Sequence, residues 1–336
     1  MGRISLNNIW KLIYNELFKL YIRKSTWVMY IVLAVLVIGN GMLTKAFDET
    51  DQTYDKDSWR DVLHAENETI LKEYADYERK MLENQDGFFI PPDITAVERN
   101  QYYLDHDIMP ESYGAWKFVY DNLMMLSLVS LFTIIIASGI LAREFNLGTI
   151  KLLLIRPISR STILLSKYIA VIIFSILTSL FTFITAWFTG AILFGVEGLY
   201  PSGLFYLDPL NFSSGFKFVP IIPEILSGFA YQLINLIMMA TFALMISSMF
   251  RNSSLAIGLA IFLMFTGNTI VQFFSDKPWA KYILFANTNL EQYKEGHNPL
   301  IEGMTLPFSI TILIVYYIVF IVLTWLFFTK RDVAGN

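Results

Sequence analysis

The chain contains no cysteine, which excludes disulfides, thiolate metal sites and a cysteine nucleophile. It is also short of charge. Asp, Glu, Lys and Arg make up 16% of its 336 residues, against about 25% in an ordinary soluble domain. Its three histidines, His64, His106 and His297, stand in no HExxH or HxxE pattern, so an intramembrane metalloprotease has no ligand set. No GxSxG elbow adjoins an apolar run, and a serine hydrolase therefore has no candidate nucleophile. No GxxxxGKS or GxxxxGKT phosphate loop occurs, so the chain cannot bind and hydrolyse ATP by that route. It is not expected to be an enzyme, and no metal, cofactor or nucleic-acid partner is expected for it.

Apolar and aromatic residues are abundant. The chain is 55% hydrophobic and 16% aromatic, with mean hydropathy +0.49. A membrane-spanning helix needs about 20 predominantly apolar residues. Six stretches qualify: 25–44, 118–141, 163–194, 223–249, 253–274 and 307–328. The first follows Lys11, Lys19, Arg23 and Lys24 and lacks a small-x-small cleavage site, so it reads as an uncleaved span, not a signal peptide. The expected fold is an all-α polytopic membrane protein.

Charge sets the expected orientation, because basic residues in short loops favour the cytoplasm. With the N-terminus inside, the inner segments hold Arg3, Lys11, Lys19, Arg23, Lys24, Arg143, Lys151, Arg156, Arg160, Lys167, Arg251, Lys330 and Arg331. The only acids there are Glu16, Glu144 and Asp332. Six spans return the tail 329–336 to the same side. The chain is accordingly expected in the cell membrane with both termini cytoplasmic.

Between the spans, residues 1–24 predict an interfacial helix. Asn8, Lys11, Asn15, Lys19 and Arg23 share one face, and Ile9, Ile13, Leu17 and Leu20 lie away from it, the pattern of a helix at an anionic headgroup layer. Residues 45–117 are acidic and carry Trp59, Val62, Leu63, Ile70, Tyr74, Tyr77 and Met81 at helical spacing, which predicts an extracellular helical domain. Thr95 and Glu98 form a capping-box pattern for a shorter helix. The outer segment 195–222 is rich in Gly, Pro and aromatics, and 275–306 suits a short re-entrant hairpin.

The spans hold almost no ionisable groups. Asp121 and Glu224 stand near the outer ends of the second and fourth, where an acid at a helix start complements the dipole. A carrier driven by protons or sodium usually keeps a carboxylate at mid-membrane, so its lack here points to a driving force supplied elsewhere. Uncharged polar residues are plentiful. Ser175, Thr178, Ser179, Thr182, Thr185 and Thr189 share one side of the third span, Gln232 and Asn235 lie in the fourth, and Asn268 and Gln272 in the fifth. Such residues either join helices by hydrogen bonds or line a path for an amphipathic substrate.

The inner segment 142–162 reads as a charged turn, a short amphipathic helix stopped before Pro157, and a basic re-entry. It holds Glu144, Gly148-Thr149, Lys151, Arg156, Pro157-Ile158-Ser159-Arg160 and then Lys167. This stretch resembles the type-2 ABC exporter permeases (the ABC-2 family), and Asn15-Glu16-Leu17-Phe18-Lys19-Leu20 before Ser25-Thr26-Trp27 is similar to their opening. The likeness covers most of the chain and is weakest over 45–117. It implies a coupling helix within 143–160 that docks on a separate cytoplasmic ABC ATPase. Glu144, Gly148, Thr149, Lys151, Arg156, Pro157 and Arg160 would be contact or positioning groups. The ATPase dimer would bind ATP and Mg²⁺, and a second permease chain, identical or paralogous, would complete the unit in membrane lipid. The implied cargo is hydrophobic or amphipathic: a peptide antibiotic, a lipid-linked molecule or a drug, with antibiotic resistance as one role. The alternative is a non-transporting membrane sensor or scaffold whose extracellular domain binds a ligand or partner.

Overall fold

The computed structural model describes residues 6–47, 54–83, 91–110, 112–149, 158–196, 203–207, 216–250, 252–294 and 299–330. Its elements are α1 (Leu6–Tyr21), α2 (Lys24–Phe47), α3 (Trp59–Glu83), α4 (Thr95–Asp105), α5 (Ala115–Asp121), α6 (Leu126–Asn146), α7 (Arg160–Phe194), β1 (Gly203–Leu207), β2 (Phe216–Pro220), α8 (Ile221–Met249), α9 (Ser253–Phe273), α10 (Leu284–Asn287) and α11 (Leu306–Lys330). The chain is an all-α polytopic membrane protein with one two-stranded antiparallel hairpin added. Among the described residues, six helical stretches are long and apolar enough to span: α2, Ala115–Asn146, α7, α8, α9 and α11. The bundle end carrying Lys19, Arg143, Arg160 and Lys330 is the basic end below. The cap around α10 lies at the other.

The centre of the bundle is α6 against α8. Small residues allow their approach. Ala137, Ser138 and Ala142 of α6 and Ala240, Ala243 and Ser247 of α8 are buried, as expected where apolar lipid gives helices no hydrophobic drive to associate. Ser247 Oγ accepts the backbone N–H groups of Leu141 and Ala142 at 3.0 and 3.1 Å, a bond between helices that adds to dispersion. The outlying helices α2 and α11 bury a single stripe each, Leu33, Val37 and Gly41 in one and Leu313, Phe320 and Phe328 in the other.

Several boundaries differ from those read off the sequence. The second span begins at Ala115 and runs through a 3₁₀ turn, Asn122–Met125, to Asn146. Asn122 is the cause of the interruption. Its buried amide donates to the Phe118 carbonyl at 2.9 Å and its oxygen accepts from Asn40 at 3.2 Å, so a side chain competes with the helix ladder. Asp121 is therefore no helix-start acid. It accepts from the Tyr113 hydroxyl at 2.7 Å and pairs with Lys117 at 3.3 Å. α7 starts at Arg160, because Ser159 caps it by accepting the Thr162 N–H at 3.2 Å. At ~1.5 Å per residue its length exceeds a ~30 Å hydrocarbon core.

α1 also departs from expectation. Ile13 and Leu20, expected in the bilayer, are buried, and α1 packs on α7. Trp10, Tyr14 and Phe18 form a separate exposed stripe. In the acidic segment, α3 and α4 form a helical pair through Trp59, Leu63 and Ala96. Asn100 donates to Asn67 at 3.0 Å between them. The capping box does not form. Asp93 Oδ1 instead accepts the Thr95 N–H at 3.1 Å just before α4 begins its first turn. The hairpin β1–β2, paired Gly203 to Pro220 and Leu207 to Phe216, was not expected. Its aromatic and valine residues suit strands, and Pro220 ends it where α8 begins.

Candidate functional site

Two regions gather the polar groups of the bundle. The first is a corner at the basic end. The last turn of α6 carries Arg143 and Glu144, and Gly148, at φ +68, turns the chain away. That left-handed conformation is cheap only for glycine. Thr149 Oγ1 then donates to the Glu144 carbonyl at 3.4 Å. Gly148 and Thr149 thus end a helix. Glu144 belongs to that helix and not to the loop.

Glu144 points inward. Its Oε1 lies 2.7 Å from Lys167 Nζ and 3.4 Å from Lys19 Nζ. Lys167 also reaches Glu16 Oε2 at 2.8 Å, and Lys19 reaches Glu16 Oε1 at 2.8 Å. Two acids and two lysines on α1, α6 and α7 make a neutral quartet. The Lys167 side chain is 1% exposed, Glu16 8% and Glu144 13%. Burial alone pushes the Glu16 carboxyl up, but Lys167 beside it and hydrogen bonds from Lys167 and Lys19 outweigh that and hold it below the usual carboxylate range. Burial pulls Lys19 down, and Glu16 and Glu144 together reverse this and raise it. Arg160 is equally structural. Its Nη1 donates to the Thr329 carbonyl at 2.9 Å, capping α11. Lys151, Arg156 and Pro157 lie outside the described residues.

The residue order sets Lys167 beside a basic re-entry and does not pair it with Glu16. One signal was present: Glu16 falls at the border of the α1 face that carries Ile9, Ile13 and Leu20, between Ile9 and Arg23. A carboxylate at the edge of an apolar face suits a cation held where that face packs.

The second region is a cavity of about 610 Å³ between α6, α8, α9 and the cap around α10. Gln232, Asn235 and Asn268 line it with Ser127 and Ser130, while Leu128, Met239, Met264 and Phe265 supply apolar walls. Gln232 Nε2 donates to Ser130 Oγ at 3.2 Å, and Asn268 Nδ2 to the Met264 carbonyl at 3.0 Å. Asn235 Oδ1 is buried with no hydrogen-bond partner among the described residues. The rim carries Asp121, Glu291 and Lys294. Lys294, with 8% of its side chain exposed, pairs with Glu224 at 3.3 Å and donates to the Glu224 carbonyl at 3.2 Å. Gly228 makes room for this. A Cβ there would stand 3.0 Å from Lys294 Nζ and 3.3 Å from Glu291 Oε1.

The structure divides the sequence-named polar residues. Gln232, Asn235 and Asn268 meet in the cavity, while Gln272 is exposed on α9 outside it. Ser175, Thr178, Thr182 and Thr185 are not in this cavity. Each donates its hydroxyl to a carbonyl of its own helix, Ile172, Phe174, Thr178 and Phe181 respectively. The first three are buried in helix seams, where Thr178 also meets the Tyr30 hydroxyl at 3.0 Å. Ser130, Glu291 and Lys294 were not singled out from the sequence, since only the folded cap brings the segment 288–294 over α8. Among the described residues no group of three or more His, Cys, Asp or Glu could hold a metal ion.

Residues 92–334 match a protein family described as of unknown function, DUF2705. The chain is 40% identical over 328 residues to the uncharacterized protein YhcI of Bacillus subtilis, covering 96% of this chain and 99% of YhcI. It is 37% identical over 208 residues to the uncharacterized membrane protein YdbK of the same organism, covering 61% of this chain and 78% of YdbK.

Proposed function

We propose, for a chain that belongs to the DUF2705 family, that it is the membrane subunit of an ATP-driven exporter of the ABC-2 type, with both termini in the cytoplasm of a bacterial cell. The observation that carries this reading is the charged corner. Glu144 lies in the last turn of α6, immediately before the segment 147–159, and Lys167 lies two turns into α7, immediately after it. Glu16 and Lys19 of α1 bind both. A displacement of that segment is therefore passed to three elements at once through a packed, ion-paired network with little slack. This is the connection a subunit without its own nucleotide site requires.

A separate cytoplasmic ATPase dimer would bind ATP and Mg²⁺ and push on that segment. A second permease chain, identical or paralogous, would complete the unit. The cavity supports an amphipathic cargo, because its walls combine amide and hydroxyl groups with methionine and phenylalanine.

The test is an affinity pull-down from native membranes with crosslinking and mass spectrometry. Recovery of a stoichiometric soluble protein with a P-loop is expected, and an accompanying second six-span protein would indicate a heterodimer. Recovery of the chain alone overturns the exporter reading in favour of a sensor or scaffold built on α3 and α4.

A further inference from the structure

The cavity presents hydrogen-bond acceptors that no neighbour satisfies. Gln232 and Asn268 each donate one amide N–H, to Ser130 Oγ and to the Met264 carbonyl. Their carbonyl oxygens accept nothing from the described residues, and Asn235 Oδ1 is buried without a partner. A buried acceptor left without a donor is unfavourable, and a donor-rich ligand relieves it.

The rim charges point the same way. Lys294 is taken up by Glu224 at 3.3 Å, and Asp121 by Lys117 at 3.3 Å and by the Tyr113 hydroxyl. Glu291 has no ion-pair partner among the described residues, and it sits against the bare backbone of α8 at Gly228. Three acids, Asp121, Glu224 and Glu291, thus face two lysines, Lys117 and Lys294, which leaves net negative charge at the mouth of a cavity whose other lining residues carry no charged side chain. A carboxylate in such surroundings gains from a cation brought to it.

We propose that this cavity binds an organic cation with an apolar body. Its cationic group sits at Glu291, further N–H groups of the ligand donate to Asn235, Gln232 and Asn268, and the body packs on Met264 and Phe265. Thioether walls adapt to varied shapes, so charge and donor count select the ligand more than outline does. The inference rests on reading the cavity as the cargo site of the proposed exporter subunit, and it narrows that cargo.

The full chain in phosphatidylcholine nanodiscs tests this without any ATPase. Ethidium, a permanent aromatic cation, is compared with neutral Nile red and anionic 1-anilinonaphthalene-8-sulfonate, each corrected for binding to empty discs. Saturable ethidium binding is expected, weakened about tenfold or more by Glu291→Gln, the loss of one favourable charge contact. Asn289→Asp adds a carboxylate at the same rim and should tighten ethidium several-fold by the same electrostatic argument. Equal binding of the three probes overturns the proposal, as does an ethidium affinity indifferent to both substitutions. Failure here leaves the pull-down result standing, and failure of the pull-down leaves the cation site standing.

Discussion

Lys167 Nζ lies 2.7 Å from Glu144 Oε1, with 1% of the lysine side chain exposed. The two residues sit 23 positions apart, one at each side of the loop that the ABC-2 resemblance marks as the coupling segment. Their pairing fixes the ends of that segment against each other, and α1 holds both, Glu16 through Lys167 and Lys19 through Glu144.

Removing the lysine alone should be severe. Lys167→Met leaves Glu16 and Glu144 buried with only Lys19 between them, and breaking a buried ion pair in this way costs roughly 3–5 kcal/mol. Thermal unfolding in detergent should show a large drop in midpoint. The triple variant Lys167→Met, Glu16→Gln, Glu144→Gln should recover most of it, because no buried charge is then uncompensated. Equal loss in single and triple variants would show that packing of the lysine stem dominates.

The corner should make stability depend on pH at both extremes. Glu16 is held below the usual carboxylate range in the folded chain, so its contribution is complete above its unfolded pKa of about 4.3. It is lost as pH falls through the lower folded value. Lys19 is raised, so its contribution is complete below about 10.4 and is lost as pH rises through the folded value. Glu16→Gln should flatten the acid limb of a midpoint-against-pH curve, and Lys19→Met the alkaline limb.

Charge reversal at Glu144 is a poor probe of ATPase docking. Glu144→Lys would place three lysines around Glu16 and should impair folding. Lys151→Glu changes a residue that the ABC-2 likeness assigns to the coupling segment. With the partner ATPase present, it should lower substrate-stimulated turnover while leaving the elution profile of the chain intact. Unchanged stimulation would argue against docking through this segment.

The hydroxyl stripe of α7 and the amide cluster of the cavity should respond differently. Thr182→Val with Thr185→Val removes hydroxyls bonded only to their own helix. It should shift stability by less than about 1 kcal/mol, since such bonds carry little net energy. Gln232→Leu breaks the bond to Ser130 and removes an acceptor from the cavity. It should weaken ligand binding with little effect on the midpoint. A transport defect confined to the threonine pair would reverse the assignment.

Bulk at Gly228 should unseat the cap. Gly228→Leu places atoms where Lys294 Nζ and Glu291 Oε1 now lie, so the segment 288–294 must move off α8. Protease sensitivity within 275–306 should rise. Gly258, whose Cβ would meet nothing within 4 Å, is the matched control, and Gly258→Leu should leave the cleavage pattern unchanged.

Six spans, the basic end and the helical acidic segment were legible in the residue order, because hydropathy, charge and helical period are properties of adjacent residues. The sequence alone also determined that the chain lacks a P-loop. Only the tertiary structure decided that Glu144 and Arg160 face the bundle, since helix α6 continues past Ala142 and α7 begins before Ile163. It also decided which polar span residues share a cavity. Gln232, Asn235 and Asn268 meet Glu291 while Thr182 does not, and that follows from how α8, α9 and the cap rotate against α6. Helix rotation is set by long-range packing of small residues such as Ala240, Ala243 and Ser247, and no local pattern encodes it.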